Sequence, residues 1–312
     1  MNVTVLMPVK DGETFLPMAI KDIESNVLKN DEIIVIDDGS RDSTGTILRN
    51  WARGNQNVRI INNPKSGLVE ALNFGLGESS NDWIARFDVD DRYRVDRLST
   101  QRNLISSSIG AIFCDYEFLS LNGRKLGRIP SPLIHQPSVI SLPFSQQTPH
   151  PGVLYNRVAI QSVGGYRAKD FPAEDISLWL RLAKISKIVS VPETLLCYRL
   201  SLNSISAQNR KSAKNLTRLL VSEIGIQREN VLYCLESWSN ILDLYSAQAL
   251  GAERSVLFYR NLKSAAKEAG LAKSHYFELR EMRNRVFSNL RNELAILNLG
   301  MNKVKRQIYR SL

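Results

Sequence analysis

The chain has 312 residues, is 43% hydrophobic and 23% charged, and carries a formal net charge of +10. That size and balance suit one large domain or two smaller ones. No apolar run approaches the roughly 18 residues of a membrane-spanning helix, and the opening MNVTVLMPVKDGETF lacks the basic-then-apolar order of a signal peptide. Three dispersed cysteines (Cys114, Cys197, Cys234) exclude a disulfide scaffold and a CxxC zinc site, and three scattered histidines (His135, His150, His275) argue against a histidine metal cluster. A reducing, cytoplasmic setting is the expectation.

The charge is unevenly placed. Residues 208–312 hold 18 Lys+Arg against 9 Asp+Glu, whereas residues 1–207 hold 23 against 22. All 11 prolines precede residue 193. Composition therefore predicts a balanced domain over 1–207 and a basic helical region over 208–312.

Within the first domain, Val3–Met7 and Glu32–Asp37 read as short apolar strands. Between them Phe15, Met18, Ala19, Ile23 and Val27 recur at helical spacing. A second helix is predicted from Ser43 to Ala52, capped by Asp42 or Ser43. A third strand follows over Val58–Ile61, then a helix over Val69–Leu76 and a fourth strand over Trp83–Phe87. This alternation predicts a parallel α/β sheet, whose ligands bind beyond the carboxyl ends of the strands.

The residues at those ends are acidic. Strand two runs into Asp37-Asp38-Gly39-Ser40 and strand four into Asp88-Val89-Asp90-Asp91. Neither GxGxxG nor GxxxxGK[ST] is present, so dinucleotide and P-loop readings fail. Asp-Asp-Gly-Ser also suits a plain turn, and solvation alone accommodates an acidic loop. Two such clusters after two strands favour a divalent cation, Mg²⁺ or Mn²⁺, between carboxylates and phosphates.

These segments, in this order, resemble glycosyltransferase family 2. Val5–Gly12 is similar to the family's opening strand and loop, and Ile34–Ser40 with Asp42 and Thr44 to its VVDDGSxDxT segment. Gly67-Leu68 and Ala71–Gly75 resemble the stretch into the next helix, and Ile84–Asp91 with Asp96–Leu98 the DxD segment. His150-Pro151, Gly164–Arg167 and Ala173–Arg181 resemble the acceptor-side half.

The resemblance implies a GT-A fold, a Rossmann-like, mostly parallel sheet flanked by helices. It divides 1–207 into a nucleotide-sugar-binding half (1–115) and an acceptor-side half (116–207). It implies an inverting transfer from a nucleotide sugar, UDP-linked, to a glycan or lipid-linked acceptor in surface polysaccharide biosynthesis. Donor contacts fall on Pro8, Val9, Asp11, Asp38, Gly67, Arg86 and Asp88, with Asp38 accepting a hydrogen bond from a uracil-type N3. Asp90 is the implied principal metal ligand beside Asp88, and Asp175 the implied base with Glu174 supporting it. His150 and Trp179 are candidates for the acceptor or diphosphate. Lys10 and Asp11 depart from the family pattern, which has an aromatic and an Asn there.

Each of these residues has a plainer reading. A Glu-Asp pair suits any helix N-terminus, and Trp179 on an amphipathic helix suits the core. His150 fits a turn, Arg86 a partner for the neighbouring acids, and Cys114 and Cys197 fit as small buried hydrophobes. In the C-terminal third, Leu279, Met282, Val286, Leu290, Leu294 and Leu297 form a stripe with Arg280, Arg283 and Arg291 largely off it. That pattern fits a helix packed on its own domain, one on an anionic membrane surface, or self-association. Nucleic acid is not an expected partner, since no reading motif accompanies the basic charge. A nucleotidyltransferase and a non-catalytic nucleotide-sugar-binding scaffold are the alternative functions. The first wants a glycine- and base-rich opening loop, which Pro8–Gly12 is not.

Overall fold

In the computed structural model, residues 1–119, 123, 125–129 and 149–199 are described. The expected basic helical region 208–312, with Cys234 and His275, lies outside these residues, as does His135. Strand β1 (Thr4–Val9) leads to helix α1 (Leu16–Asn26), β2 (Glu32–Asp37), α2 (Thr44–Gly54), β3 (Val58–Asn62), α3 (Leu68–Glu78) and β4 (Trp83–Arg86). Then come β5 (Arg92–Tyr93), α4 (Arg97–Arg102), β6 (Ile109–Leu119) and β7 (Lys125–Ile129). After a 3₁₀ turn at His150–Gly152 follow β8 (Leu154–Asn156), α5 (Arg157–Ser162), α6 (Glu174–Leu182) and β9 (Lys187–Arg199).

The strands form a sheet in the order β3-β2-β1-β4-β8-β6-β9-β5, with β7 on the side of β6. β1 pairs in parallel with both β2 and β4, and β2 with β3. The second half breaks the pattern: β8 runs antiparallel to both β4 and β6, while β6 and β9 are parallel. The expected mostly parallel sheet is thus a mixed one. The departure lies in β8, which runs antiparallel to both of its neighbours, β4 and β6. β6 runs unbroken through the expected division at residue 115, so both halves share one sheet.

Both faces of the sheet are covered. Val5, Met7 and Val9 alternate into one apolar cluster with Leu16, Ala19 and Ile23 of α1. Leu6, Ile34, Ile36 and Ile84 point to the other, against Leu72 and Leu76 of α3 and Leu178 and Leu182 of α6. This explains why β1 is buried along its whole length, as strands covered on both faces are. Met18, expected in the α1 stripe, is 43% exposed. Its place is taken by Asp22 and Asn26, buried polar residues of α1 that hold β5 and α4. Asp22 accepts from Arg92 at 2.6 and 2.9 Å and from the Tyr93 amide at 2.9 Å.

β1 has β2 on one side and β4 on the other, so the chain's direction of travel across the sheet reverses there. A crevice opens beyond the carboxyl ends at such a reversal. The loops after β1, β2 and β4 meet at it.

Candidate active site

The loops after β1 and β2 are laced together. Asp11, in the left-handed region at φ 50°, accepts from the Arg41 amide at 2.7 Å, and its own amide donates to Ser40 Oγ at 3.0 Å. The Gly12 amide donates to Thr44 Oγ1 at 2.7 Å, and the Glu13 amide to Asp42 Oδ2 at 3.0 Å. Glu13 reciprocates by accepting from the Ser43 amide at 2.9 Å. Ser43 is the N-cap of α2, but Asp42 supplies the bond, accepting from the Thr44 amide at 2.9 Å. Thus Asp11, Asp42 and Thr44 take part in building the rim.

Asp38 sits at the inner edge of that rim. Its Oδ1 accepts from Asn63 Nδ2 at 2.6 Å and from the Gly67 amide at 2.9 Å. Its Oδ2 faces Lys10 Nζ at 3.6 Å. Gly67 makes its bond from φ 112°, a backbone conformation that L side chains rarely adopt. Asn63 escaped the sequence reading, although its place just past β3 was a signal under the rule that predicted Asp38. Pro8 and Val9, at the end of β1, are buried beneath this rim.

The loop after β4 is different. Carboxylate oxygens of Asp88, Asp90 and Asp91 lie within 4.8 Å of one another. Burial and the Asp88 charge raise Asp90 to about 6. Burial, with Asp90 and Asp88 beside it, drives Asp91 well above the usual carboxylate range. Asp91 Oδ1 accepts from the Arg199 amide at 2.7 Å, whereas its buried Oδ2 has no partner. Arg199 Nε also donates to the Asp90 carbonyl at 2.6 Å, and its guanidinium lies 4.9 Å from the Phe15 ring centroid. Tyr93 Oη accepts from the Asp88 amide at 2.6 Å. Beneath the loop, Arg97 is fully buried with its guanidinium 4.3 Å from the Phe87 centroid and 4.9 Å from that of Tyr93. Arg199 lies over 100 residues from the loop it holds, and nothing in the local sequence announced that contact.

Glu174 and Asp175 open α6, as expected. Asp175 Oδ1 accepts from the Ile176 amide at 2.7 Å, a bond to the helix N-terminus that favours its ionised form. Burial raises Asp175 to about 6. Glu174 is 5% exposed, its Oε2 has no partner, and burial with the Asp175 charge lifts it to about 8. Burial and mutual repulsion thus disfavour a double negative charge on the pair.

His150 Nε2 is 2.8 Å from Tyr166 Oη. Burial and the nearby Arg86 charge push the ring well below its ordinary value, so it is neutral at pH 7. Tyr166 follows the Gly164-Gly165 turn, whose residues have φ 84° and 60°. Asn73 of α3 clasps this turn, donating to the Tyr166 carbonyl at 2.8 Å and accepting from its amide at 2.9 Å. A Cβ on Gly165 would come 2.8 Å from Asn73 Oδ1, which accounts for the glycine. Trp179, a candidate platform for the acceptor, is 1% exposed and packs edge-on against Phe113 at 5.2 Å. It is a core residue, with no face open to a sugar. Arg86, a candidate donor contact, is 2% exposed and paired with Asp88, which is the plainer of its two readings. Cys114 is buried as expected, and Cys197 is half-buried with Sγ 3.1 Å from Glu117 Oε1.

The family model described as glycosyl transferase family 2 matches residues 4–120. The chain is 29% identical over 188 residues to the Escherichia coli UDP-Gal:alpha-D-GlcNAc-diphosphoundecaprenol beta-1,3-galactosyltransferase, covering 58% of this chain and 66% of that one. Its fold is similar to S. aureus TarS residues 1–349, solved with UDP-GlcNAc, at a TM-score of 0.62 and 13% identity over 94% of this chain and 92% of that one. It is also similar to the Pyrobaculum calidifontis mannosyltransferase PcManGT, solved with GDP-Man and Mn²⁺, at 0.57 and 16% over 93% and 87%. These likenesses displace the nucleotidyltransferase and scaffold alternatives. Residues 4–120 match glycosyl transferase family 2, and the likenesses to named glycosyltransferases support a glycosyltransferase activity.

Proposed function

We propose that the enzyme is a metal-dependent, inverting glycosyltransferase that moves a sugar from UDP to a glycan or lipid-linked acceptor in surface polysaccharide biosynthesis. The carrying observation is two acidic groups, Asp88–Asp90–Asp91 and Glu174–Asp175, each with a buried carboxylate oxygen that has no partner. One group suits a cation and the other a proton.

The donor set fits a hard divalent ion: three crowded carboxylates, one with an orphaned buried oxygen, and no sulfur or imidazole among them. Asp90 and Asp88 would hold Mn²⁺ or Mg²⁺, with Asp91 an added candidate. When bound, the ion would offset charge developing on the departing diphosphate. Asp38 Oδ2 is the oxygen free of backbone duties and so suits the N3–H of a uracil. Asp175 accepts the proton of the incoming hydroxyl, and Glu174, already protonated, adds no second charge. Attack from the side opposite the leaving group inverts the anomeric centre.

The E. coli relative's diphosphoundecaprenol acceptor supports a lipid-linked substrate here. The net +9 of residues 208–312 supports a peripheral place on the anionic inner membrane face, where such an acceptor resides. Among the described residues no helix is long and apolar enough to cross a membrane. Incubation with labelled nucleotide sugars, Mn²⁺ and a lipid-diphosphate glycan tests the reading. Released UDP with a product of inverted configuration is expected. Release from GDP- or CDP-sugars alone, or equal UDP affinity in EDTA and in Mn²⁺, overturns the donor or the metal assignment respectively.

A further inference from the structure

Tyr93 is the second residue of the short strand β5, five positions beyond Asp88, and its side chain is buried. A phenol hydroxyl taken out of water needs partners in the protein. Here the partners are the two backbone groups of one residue. Tyr93 Oη accepts from the Asp88 amide at 2.6 Å and donates to the Asp88 carbonyl, 3.3 Å away. The peptide groups on either side of the Asp88 Cα therefore lean on a single oxygen. Each peptide group is planar, so fixing both sets the two backbone dihedrals of Asp88 and the direction in which its carboxylate leaves the chain.

The tyrosine is itself held on several sides. Its ring centroid lies 4.2 Å from that of Phe87 and 4.9 Å from the buried Arg97 guanidinium. Arg97 is anchored in turn, donating to Gln101 Oε1 at 3.1 Å and to the Val153 carbonyl at 3.0 Å. At the backbone, the Tyr93 amide donates to the buried Asp22 carboxylate at 2.9 Å, and Tyr93 pairs with Leu196 of β9. The hydroxyl is thus tied to α1, α4 and the sheet at once. At the far end of the same loop, Arg199 takes the Asp90 carbonyl and Asp91 Oδ1. The Tyr93 bonds use only backbone atoms of Asp88, so they place the residue without occupying a carboxylate oxygen.

We propose that Tyr93 is a positioning residue for the acidic loop: its hydroxyl presets the Asp88 backbone, so that the carboxylates of Asp88 and Asp90 receive a divalent cation without the loop having to be ordered first. It acts through Asp88 and touches neither cation nor donor. Ordering a site in advance lowers the cost of binding, so the effect falls on cation affinity more than on the chemical step. The inference rests on the metal assignment above, but its first test needs no metal.

The experiment compares wild type with Tyr93→Phe in the full chain. The variant keeps the ring against Phe87 and Arg97 and deletes only the hydroxyl. Hydrogen exchange at the Asp88 amide, read by mass spectrometry with residue-level fragmentation and without metal or nucleotide, should speed up by about tenfold, while the amides of β1 and β2 stay protected. Electron paramagnetic resonance of free Mn²⁺ in the presence of UDP should show Mn²⁺ bound about 10- to 100-fold more weakly. In the transfer assay the KM for Mn²⁺ should rise by a similar factor, with kcat at saturating Mn²⁺ within about threefold of wild type. A tyrosine that only stabilises the fold would lower the melting temperature and leave Mn²⁺ affinity unchanged. That outcome overturns the proposal, as does unchanged exchange at Asp88. If Tyr93→Phe fails to fold, wild type alone decides: an Asp88 amide as slow as those of β4 supports the proposal, and one as fast as an open loop overturns it. A wild type that binds no Mn²⁺ sinks the metal assignment alone, and exchange at Asp88 still decides whether Tyr93 holds the loop.

Discussion

Two acidic loops at the same rim are put to opposite uses. In the loop after β2, Asp37 and Asp42 accept backbone amides, and Asp38 spends one oxygen on Asn63 and Gly67. In the loop after β4, carboxylates crowd one another, and one buried oxygen is left without a partner. The first loop is a framework whose charges are already neutralised by donors. In the second, Asp91 keeps a buried oxygen without a partner, as Glu174 does at the head of α6. Unsatisfied carboxylates, more than acidic residues as such, mark where chemistry is expected.

Breaking the second group should cost activity and leave the fold standing. Asp90→Ala should have the largest effect, with turnover falling below detection and UDP binding no longer strengthened by Mn²⁺ in calorimetry. Asp175→Asn should lower kcat by about 10²- to 10⁴-fold while donor affinity persists. Glu174→Gln should cost less; a dead Glu174→Gln beside an active Asp175→Asn reverses the assignment. Wild-type kcat should fall as the pH drops below about 6, because Asp175 must be ionised to accept a proton.

Breaking the first group should do the reverse. Thr44→Val leaves the Gly12 amide without its acceptor, a loss of about 1–3 kcal/mol. Thermal melting should drop by several degrees with kcat within about threefold of wild type. A large kcat loss there would show that the rim is also part of the machinery. The smallest effect is on pH dependence. Glu174 holds its proton more tightly folded than unfolded, so the wild type loses stability as pH climbs from about 4.5 toward about 8. Glu174→Gln removes that slope and should melt a few degrees higher at pH 8.

The first four strands were legible because each couples an apolar run to a turn signal, and β2 falls at its predicted bounds. The antiparallel half was not. β8 has three residues and β5 has two, too short for any period to show. The acidic site residues were readable because charge at a strand end is conspicuous. Asp91 was passed over as a ligand candidate since DxD spacing drew notice to its neighbours. Trp179 failed as a platform because amphipathic spacing cannot tell a pocket wall from a core. Asp11 holds the loop after β2 through the Arg41 amide, a long-range contact that its sequence position does not announce. Arg86 was visible but ambiguous, and burial resolved it.

Arg199 carries a consequence of a mechanical kind. It is the final residue of β9, and it grips both the Asp90 carbonyl and the Asp91 carboxylate. The polypeptide continues from it directly into residue 200. Whatever the remaining 113 residues attach to is therefore in series with the acidic loop. A pull transmitted along the backbone would arrive first at that grip. A fragment ending at residue 198 lacks that grip on the acidic loop, whereas one ending at residue 207 retains it.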